Sequence, residues 1–406
     1  MLLSPDFAFE KWPDCITCRK NIVFRRDARS TTRHRKVNAD NRRKRPFLKP
    51  RGIGRSAASF LLRGARGMAT KPRVPSLASD ELGPIPKSGP SLPVPRAAIF
   101  MTALFHLLFN LLLRPEADAG DSQLLSLSGV ASYYGLVECV LPSGAIHLRS
   151  QAVNLKFEPD SRRLVFNGIT VWMHEPAVQH AGRLSIHRCD AVSILDPLFR
   201  PDRVFLLSER RVVVLDPGHG GTDSGALGSF LSEKDLTLSL ASKVEFELSA
   251  AGIETFLTRT NDVSIGLRDR AEFAAEHKAD VFVSIHANWA ENRNASGLET
   301  FLLPSAASAS ADSPSSNATC DAANMLLAYE IHRMTLSETL TTDRGIKRAR
   351  FEVLRNAECA ATLVECGFLS NPIEERALSD ESYRWRVARG IAAGIISFLS
   401  TAGISR

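Results

Sequence analysis

The sequence has no complete set of cysteine or histidine pairs at metal-ligand spacing. Cys15-Ile-Thr-Cys18 looks like half a zinc knuckle, but no second pair follows, which argues against a small zinc-stapled module there. A Walker lysine–serine pair and a G-x-G-x-x-G turn are also missing, so the glycine-rich stretch Gly218 to Gly228 lacks either standard signature of a phosphate cradle. Nor does a net positive charge extend beyond the N-terminal segment. Residues 1–67 hold eighteen Lys and Arg against five Asp and Glu, or +13; the whole chain is +7, so residues 68–406 are −6. The basic balance belongs to the tail, and no nucleic-acid partner is expected for the folded part.

At 406 residues, 44% of them apolar, the chain is long enough for two or three domains. Residues 1–96 read as a disordered basic and proline-rich leader. Residues 1–67 of it either bind polyanions or precede the true start, with Met68 as an alternative initiator. Ala97 to Leu113 is an apolar run of seventeen residues broken only by Thr102, His106 and Asn110, followed by the small-x-small pattern Ala117-Asp-Ala119. Residues 97–119 therefore read as the apolar core and cleavage site of an export signal peptide, engaging the membrane only transiently. A signal anchor is the alternative, since seventeen residues lie near the lower limit for a bilayer of ~30 Å. Both readings place the remainder in the periplasm or cell envelope. Five cysteines follow Ala119, an odd number, and Cys139 with Cys189 is the only pairing worth considering.

Residues 120–205 alternate short strand-like runs, such as Ala152-Val-Asn-Leu-Lys-Phe and Arg163-Leu-Val-Phe, with turn signals such as Asn167-Gly. They predict a separate small β-rich domain with helices over 126–135 and 190–198. The rhythm resembles the small domain of the copper amine oxidase N-terminal type, a name that implies no copper here. His147, His174, His180 and His187 lack an acidic or thiol ligand at a recognisable spacing, so no metal is assigned to them.

From residue 210 the pattern changes to strand, helix, strand, predicting an α/β domain over 210–402: a single twisted, mostly parallel sheet flanked by helices. Val212 to Leu215 is apolar without alternation, as in a strand covered on both faces, and Asp216-Pro-Gly stops it just before His219. Two further strands end alike, Ala279-Asp-Val-Phe-Val-Ser-Ile at His286 and Ala361-Thr-Leu-Val at Glu365. Ligands of open α/β sheets bind outside the carboxyl ends of strands, so the three endings can converge. Two imidazoles and an acidic ligand hold a catalytic zinc with an open position, and a further carboxylate can serve as general base. Ser232-Glu-Lys-Asp235 has capping-box spacing, and Leu236, Leu240, Val244 and Leu248 then mark one buried helix face. Spacing alone makes Glu233 an exposed, favourable helix-end charge. Asp216 and Asn288 are either orienting groups for the ligands or turn residues. Arg268 and Arg344 either meet substrate carboxylates or form ordinary salt bridges.

Leu215-Asp-Pro-Gly-His-Gly-Gly, Ser232-Glu-Lys-Asp, Val283-Ser-Ile-His-Ala-Asn288, Arg344-Gly-Ile-Lys and Leu363-Val-Glu-Cys-Gly-Phe-Leu-Ser-Asn371 together resemble the zinc-dependent N-acetylmuramoyl-L-alanine amidases, a class of cell-wall hydrolases. The likeness spans about residues 210–402. It implies zinc (Zn2+) held at His219, Glu233 and His286, with Glu365 as catalytic acid/base, and peptidoglycan as substrate. The bond cut would join the muramoyl lactyl group to L-alanine. A monomer is expected. One departure is Glu358-Cys-Ala-Ala, where the family usually has a proline before the last strand. The competing readings are a peptidoglycan-binding or regulatory module without turnover, against which all ligands and the base are present, and an anion-binding α/β protein, which leaves His286 and Glu365 unexplained.

Overall fold

From its N-terminal side the fold is antiparallel. The structure, a computed structural model, describes residues 123–206, 210–305, 316–401 and 403–404. The leader, the signal segment and residues 306–315 of the low-complexity connector lie outside the described residues.

Strand β1 (Leu124–Ser126) leads into helix α1 (Leu127–Tyr134), whose ends follow from its sequence. Ser126 Oγ accepts from Gly129 N at the start, and Gly135 takes the left-handed conformation that closes it. Strands β2 (Val137–Val140), β3 (Ile146–Arg149), β4 (Asn154–Phe157), β5 (Ser161–Phe166) and β6 (Ile169–His180) then form an antiparallel meander. The far end of β6 pairs instead with β7 (Arg183–His187), which also pairs with β1. Helical turns over 188–199 follow, and β8 (Phe205–Leu206) pairs with the chain's last strand.

The second half alternates as expected: β9 (Val213–Pro217), α2 (Glu233–Ala250), β10 (Thr255–Leu257), α3 (Leu267–Glu276), β11 (Val281–Asn288) and β12 (Leu298–Leu302). After these come α4 (Asp321–Thr339), β13 (Asp343–Arg348), α5 (Glu352–Arg355), β14 (Ala360–Phe368), α6 (Pro372–Ser379), α7 (Glu381–Thr401) and β15 (Gly403–Ile404). The sheet order is β10-β9-β11-β14-β12-β13. The first four strands are mutually parallel, whereas β12 is antiparallel to β14 and β13 follows β12.

Both faces are covered, which is why these strands show no polar alternation. Val213, Leu215, Val281, Val283, Ile285 and Val364 pack with α2 and α7 through Leu236, Leu240, Val244 and Ile391. The opposite pleats, Val214, Phe282, Leu363 and Phe301, form another cluster with Ala274 and Leu354. Among the described residues no helix is long and apolar enough to cross a membrane.

Two expectations change here. The β-rich unit over 120–205 is not separate: β6 pairs with β13 through Val171 and Ile346, so one sheet runs from β10 to β2. Its core includes Leu302, Met325, Ala328, Tyr329 and Ile346 from the second half, alongside Leu148, Phe157 and Leu164. An edge strand that would otherwise expose unpaired backbone groups is thereby paired. The Cys139–Cys189 pairing does not occur, since both are free thiols, Cys139 exposed and Cys189 buried.

Candidate metal centre and active site

The loop after β9 turns sharply enough to place His219 at φ +61°, a left-handed conformation uncommon for a residue with a side chain. Its ring approaches that of His286, with centroids 5.0 Å apart and planes at 80°. Between them comes Glu233, the first residue of α2, which is only 2% exposed. That burial corrects the exposed helix-end reading: the helix start is aimed into the sheet rim, and the carboxylate is enclosed. Glu233 Oε2 accepts from Ala226 N at 2.7 Å and Oε1 from Ala287 N at 3.1 Å. His286 Nδ1 lies 2.8 Å from Glu233 Oε1. One ligand atom from each of His219, Glu233 and His286 lies within 4.8 Å of the others.

Two glycines make this proximity possible. A Cβ on Gly218 would come within 2.4 Å of the His286 ring, and one on Gly225 within 2.5 Å of Glu233 Oε2. Gly225 is also at φ +63°, so both space and backbone require glycine.

The donor set suits a cation. His219 Nδ1 is 2.8 Å from Asp223 Oδ2, which fixes a proton on Nδ1, so that in the neutral ring the lone pair is on Nε2. Nε2 is buried without a hydrogen bond, although it sits 3.1 Å from Glu233 Oε2. The contact is close but not aligned as a hydrogen bond, an arrangement that a cation shared by the two atoms would satisfy. The same two carboxylates also attract a proton to the ring, in competition with a metal ion for Nε2. Burial lowers the His219 pKa, but Glu233 and Asp223 outweigh it and push it up to about 9. Burial raises the Glu233 carboxyl, yet the two histidines hold it well below the usual range. Two imidazoles and one carboxylate form a donor set that zinc accepts with a position left open.

A second cluster, His174, Cys189 and Asp190, also brings metal-capable atoms together. Here each polar atom is already engaged. His174 Nδ1 meets Asp190 Oδ1 at 2.7 Å, and His174 Nε2 accepts from Ser305 N at 3.3 Å. Asp190 also accepts from the backbone N–H groups of His174 and Glu175. Burial and Asp190 push the Cys189 thiol up to about 12, away from thiolate. This cluster is a latch between β6 and the residues after β7 and β12, and the fold gives His174 the acidic and thiol neighbours that its sequence spacing did not show.

The His219 loop is held from below by two buried arginines that sequence reasoning passed over. Arg270 donates to Asp216 Oδ1 at 2.7 Å and to the carbonyls of Pro217 and His219 at 2.8 Å each. Arg259 donates to the carbonyls of Pro217, Gly218 and Lys234. Asp216 also accepts from Thr258 and Ser284. It therefore acts on the site through Arg270 and the backbone rather than by touching a ligand ring. Arg268, the arginine singled out from sequence, is exposed and pairs with Glu272 one helical turn away. The available signal was Arg270 itself, a charge on the apolar side of α3.

His286 and Glu365 lie within β11 and β14 rather than beyond their ends, and they are register partners. Glu299 on β12 is the register partner of Glu365 on the other side. Directly paired residues share a sheet face, so His286, Glu365 and Glu299 form one row. Glu365 and Glu299 are 3% and 2% exposed. Asn288 donates to Glu299 Oε2 at 3.0 Å and so orients this row, not the two histidines. Glu299 was missed because β12 and β13 run opposite to the other strands and bring their starts, not their ends, to this rim. A lone charge in the strand Leu298-Glu-Thr-Phe-Leu302 was the signal.

Comparison with known proteins covers the part of the chain that carries these residues. A family model described as N-acetylmuramoyl-L-alanine amidase matches residues 213–397. The chain is 36% identical over 220 residues to N-acetylmuramoyl-L-alanine amidase AmiA of Escherichia coli, covering 47% of this chain and 76% of that protein. It is 34% identical over 187 residues to N-acetylmuramoyl-L-alanine amidase LytC of Bacillus subtilis, covering 46% of this chain and 35% of that protein. A solved catalytic domain of the amidase CwlV from Bacillus (Paenibacillus) polymyxa is 39% identical, covering 47% of this chain and 99% of that one, with a TM-score of 0.42.

Proposed function

The chain belongs to the N-acetylmuramoyl-L-alanine amidase family, and from that premise we propose that it hydrolyses the amide between the muramoyl lactyl group and the L-alanine of peptidoglycan stem peptides. The observation that carries the reading is the buried meeting of His219, Glu233 and His286, with Nε2 of His219 facing a carboxylate oxygen. These three residues would hold zinc, which when bound supplies Lewis acidity toward a carbonyl oxygen and toward water.

The remaining work falls to side chains of this chain. Glu365 would take a proton from the attacking water and return it to the departing alanine amine, a role supported by its lying one strand from His286 on the same face. Asp223 keeps His219 in one tautomer. Arg259 and Arg270 fix the carbonyls of the loop so that the ring cannot swing away. Export to the periplasm or cell envelope, by way of the 97–119 segment, would bring the site to its polymer substrate.

The test is release of stem peptides with free N-terminal alanine from purified peptidoglycan by the full chain. A chelator should abolish release and added zinc restore it. Undiminished release under chelation would remove the metal from the reading; binding without release would favour a module that does not turn over.

A further inference from the structure

The row of His286, Glu365 and Glu299 continues on the next strand into two cations. Arg344 Nε donates to Glu299 Oε1 at 2.7 Å, and Lys347 Nζ donates to the same oxygen at 2.6 Å. Both cations share one anion, so the trio carries a net charge of +1. On this face the apolar cluster reaches Leu363 and Phe301, and the next outward residues of their strands are Glu365 and Glu299. The charged row therefore occupies the rim where packing stops.

Arg344 is held on several sides. Its Nε is fixed by Glu299, its guanidinium lies 5.0 Å from the Phe368 ring centroid, and its carbonyl accepts from Trp172 Nε1 at 3.0 Å. Its side chain is nevertheless 29% exposed, and its two terminal nitrogens have no hydrogen-bond partner among the described residues. A guanidinium clamped through Nε presents its terminal pair as a ready fork for one carboxylate.

We propose that Arg344, positioned by Glu299 and reinforced by Lys347, is a specificity site that binds the free carboxylate on the second residue of the stem peptide. The proposal rests on the amidase reading. β13 lies two strands from β14, or ~10 Å at ~4.8 Å per strand. The carboxylate of the second stem residue lies ~7 Å from the scissile carbonyl at ~3.5 Å per residue. The arginine side chain covers the difference. Arg344 would be a substrate-binding residue, and Glu299 a positioning residue acting through it.

The experiment compares two muramoyl peptides that differ only in whether the second stem residue bears a carboxylate or a carboxamide, using the full chain loaded with zinc. The expected result is a kcat/KM at least tenfold higher for the acid, carried by KM. Arg344→Ala should bring the two substrates to equal kcat/KM, Arg344→Lys should keep part of the preference, and Glu299→Gln should raise KM for the acid alone. Misfolding lowers both rates together and leaves their ratio intact, so the ratio reads the subsite. Equal cleavage of acid and amide by the unaltered chain, or an unchanged preference in Arg344→Ala, overturns the proposal while leaving the amidase reading intact. Cleavage of neither substrate overturns the amidase reading and this proposal with it.

Discussion

At the scale of single residues, the site depends on groups that touch His219, Glu233 and His286 as much as on those three residues themselves. Asp223→Ala removes the acceptor that keeps the His219 proton on Nδ1. Zinc affinity should fall 10- to 100-fold on the order typical for lost ligand orienters, as measured by competition with a chromophoric chelator. Glu365→Gln should retain metal at full stoichiometry and lose ~10²–10⁴ in kcat, the range for a general acid–base. Normal turnover in that variant would mean that another group moves the proton. Asp216 makes the pH dependence explicit. Burial raises its pKa, but Arg270, Thr258 and Ser284 outweigh burial and depress it below the usual carboxylate value. A depressed folded pKa contributes stability that is complete above the unfolded value of ~3.9 and is lost as pH falls through the folded value. Asp216→Asn leaves Arg270 buried without its charge partner and should cost ~3–5 kcal/mol at neutral pH. Its stability should then vary less than wild type below pH ~4, which urea titrations across pH would reveal.

At the scale of elements, the centre is made by two turns and the start of a helix. The loop between β9 and α2 reverses on left-handed residues, and α2 begins where Ser232 caps it and Glu233 enters the rim. Gly225→Ala introduces a Cβ at a strained φ and into contact with Glu233 Oε2. Relief of that contact would push the carboxylate away from His219 and His286. We expect zinc content well below one equivalent, with near-wild-type helix content by circular dichroism, because α2 is anchored elsewhere by Leu236, Leu240, Val244 and Leu248. Full zinc occupancy in this variant would show that the loop relaxes easily.

For the whole molecule, the strands of 120–205 and the α/β half share a sheet and a core. Met325, Tyr329, Leu302 and Ile346 are buried together with residues of the N-terminal strands. Burial of each large apolar side chain contributes ~1.5–3 kcal/mol, so removing 120–199 should cost about 5 kcal/mol or more. The intact chain should unfold with coincident far-ultraviolet and tryptophan transitions, because Trp172 lies in one half and Trp289 and Trp385 in the other. Two separated transitions would show that the shared core couples the halves only weakly.

The sequence by itself determined the alternation of strands and helices from 210 onward, the buried face of α2 and the residues that end or nearly end the parallel strands. These are local matters: apolar runs, caps and glycine turns act over a few residues. It also carried the motifs through which His219, Glu233, His286 and Glu365 could be named together. Only the tertiary structure decided that Glu233 is buried rather than exposed, that Arg270 and not Arg268 supports the loop, and that Glu299 stands beside Glu365. It also joined the N-terminal strands to the main sheet through a single pairing of Val171 with Ile346. Each of these rests on strand order and direction, which bring together residues tens of positions apart and which local periodicity does not encode.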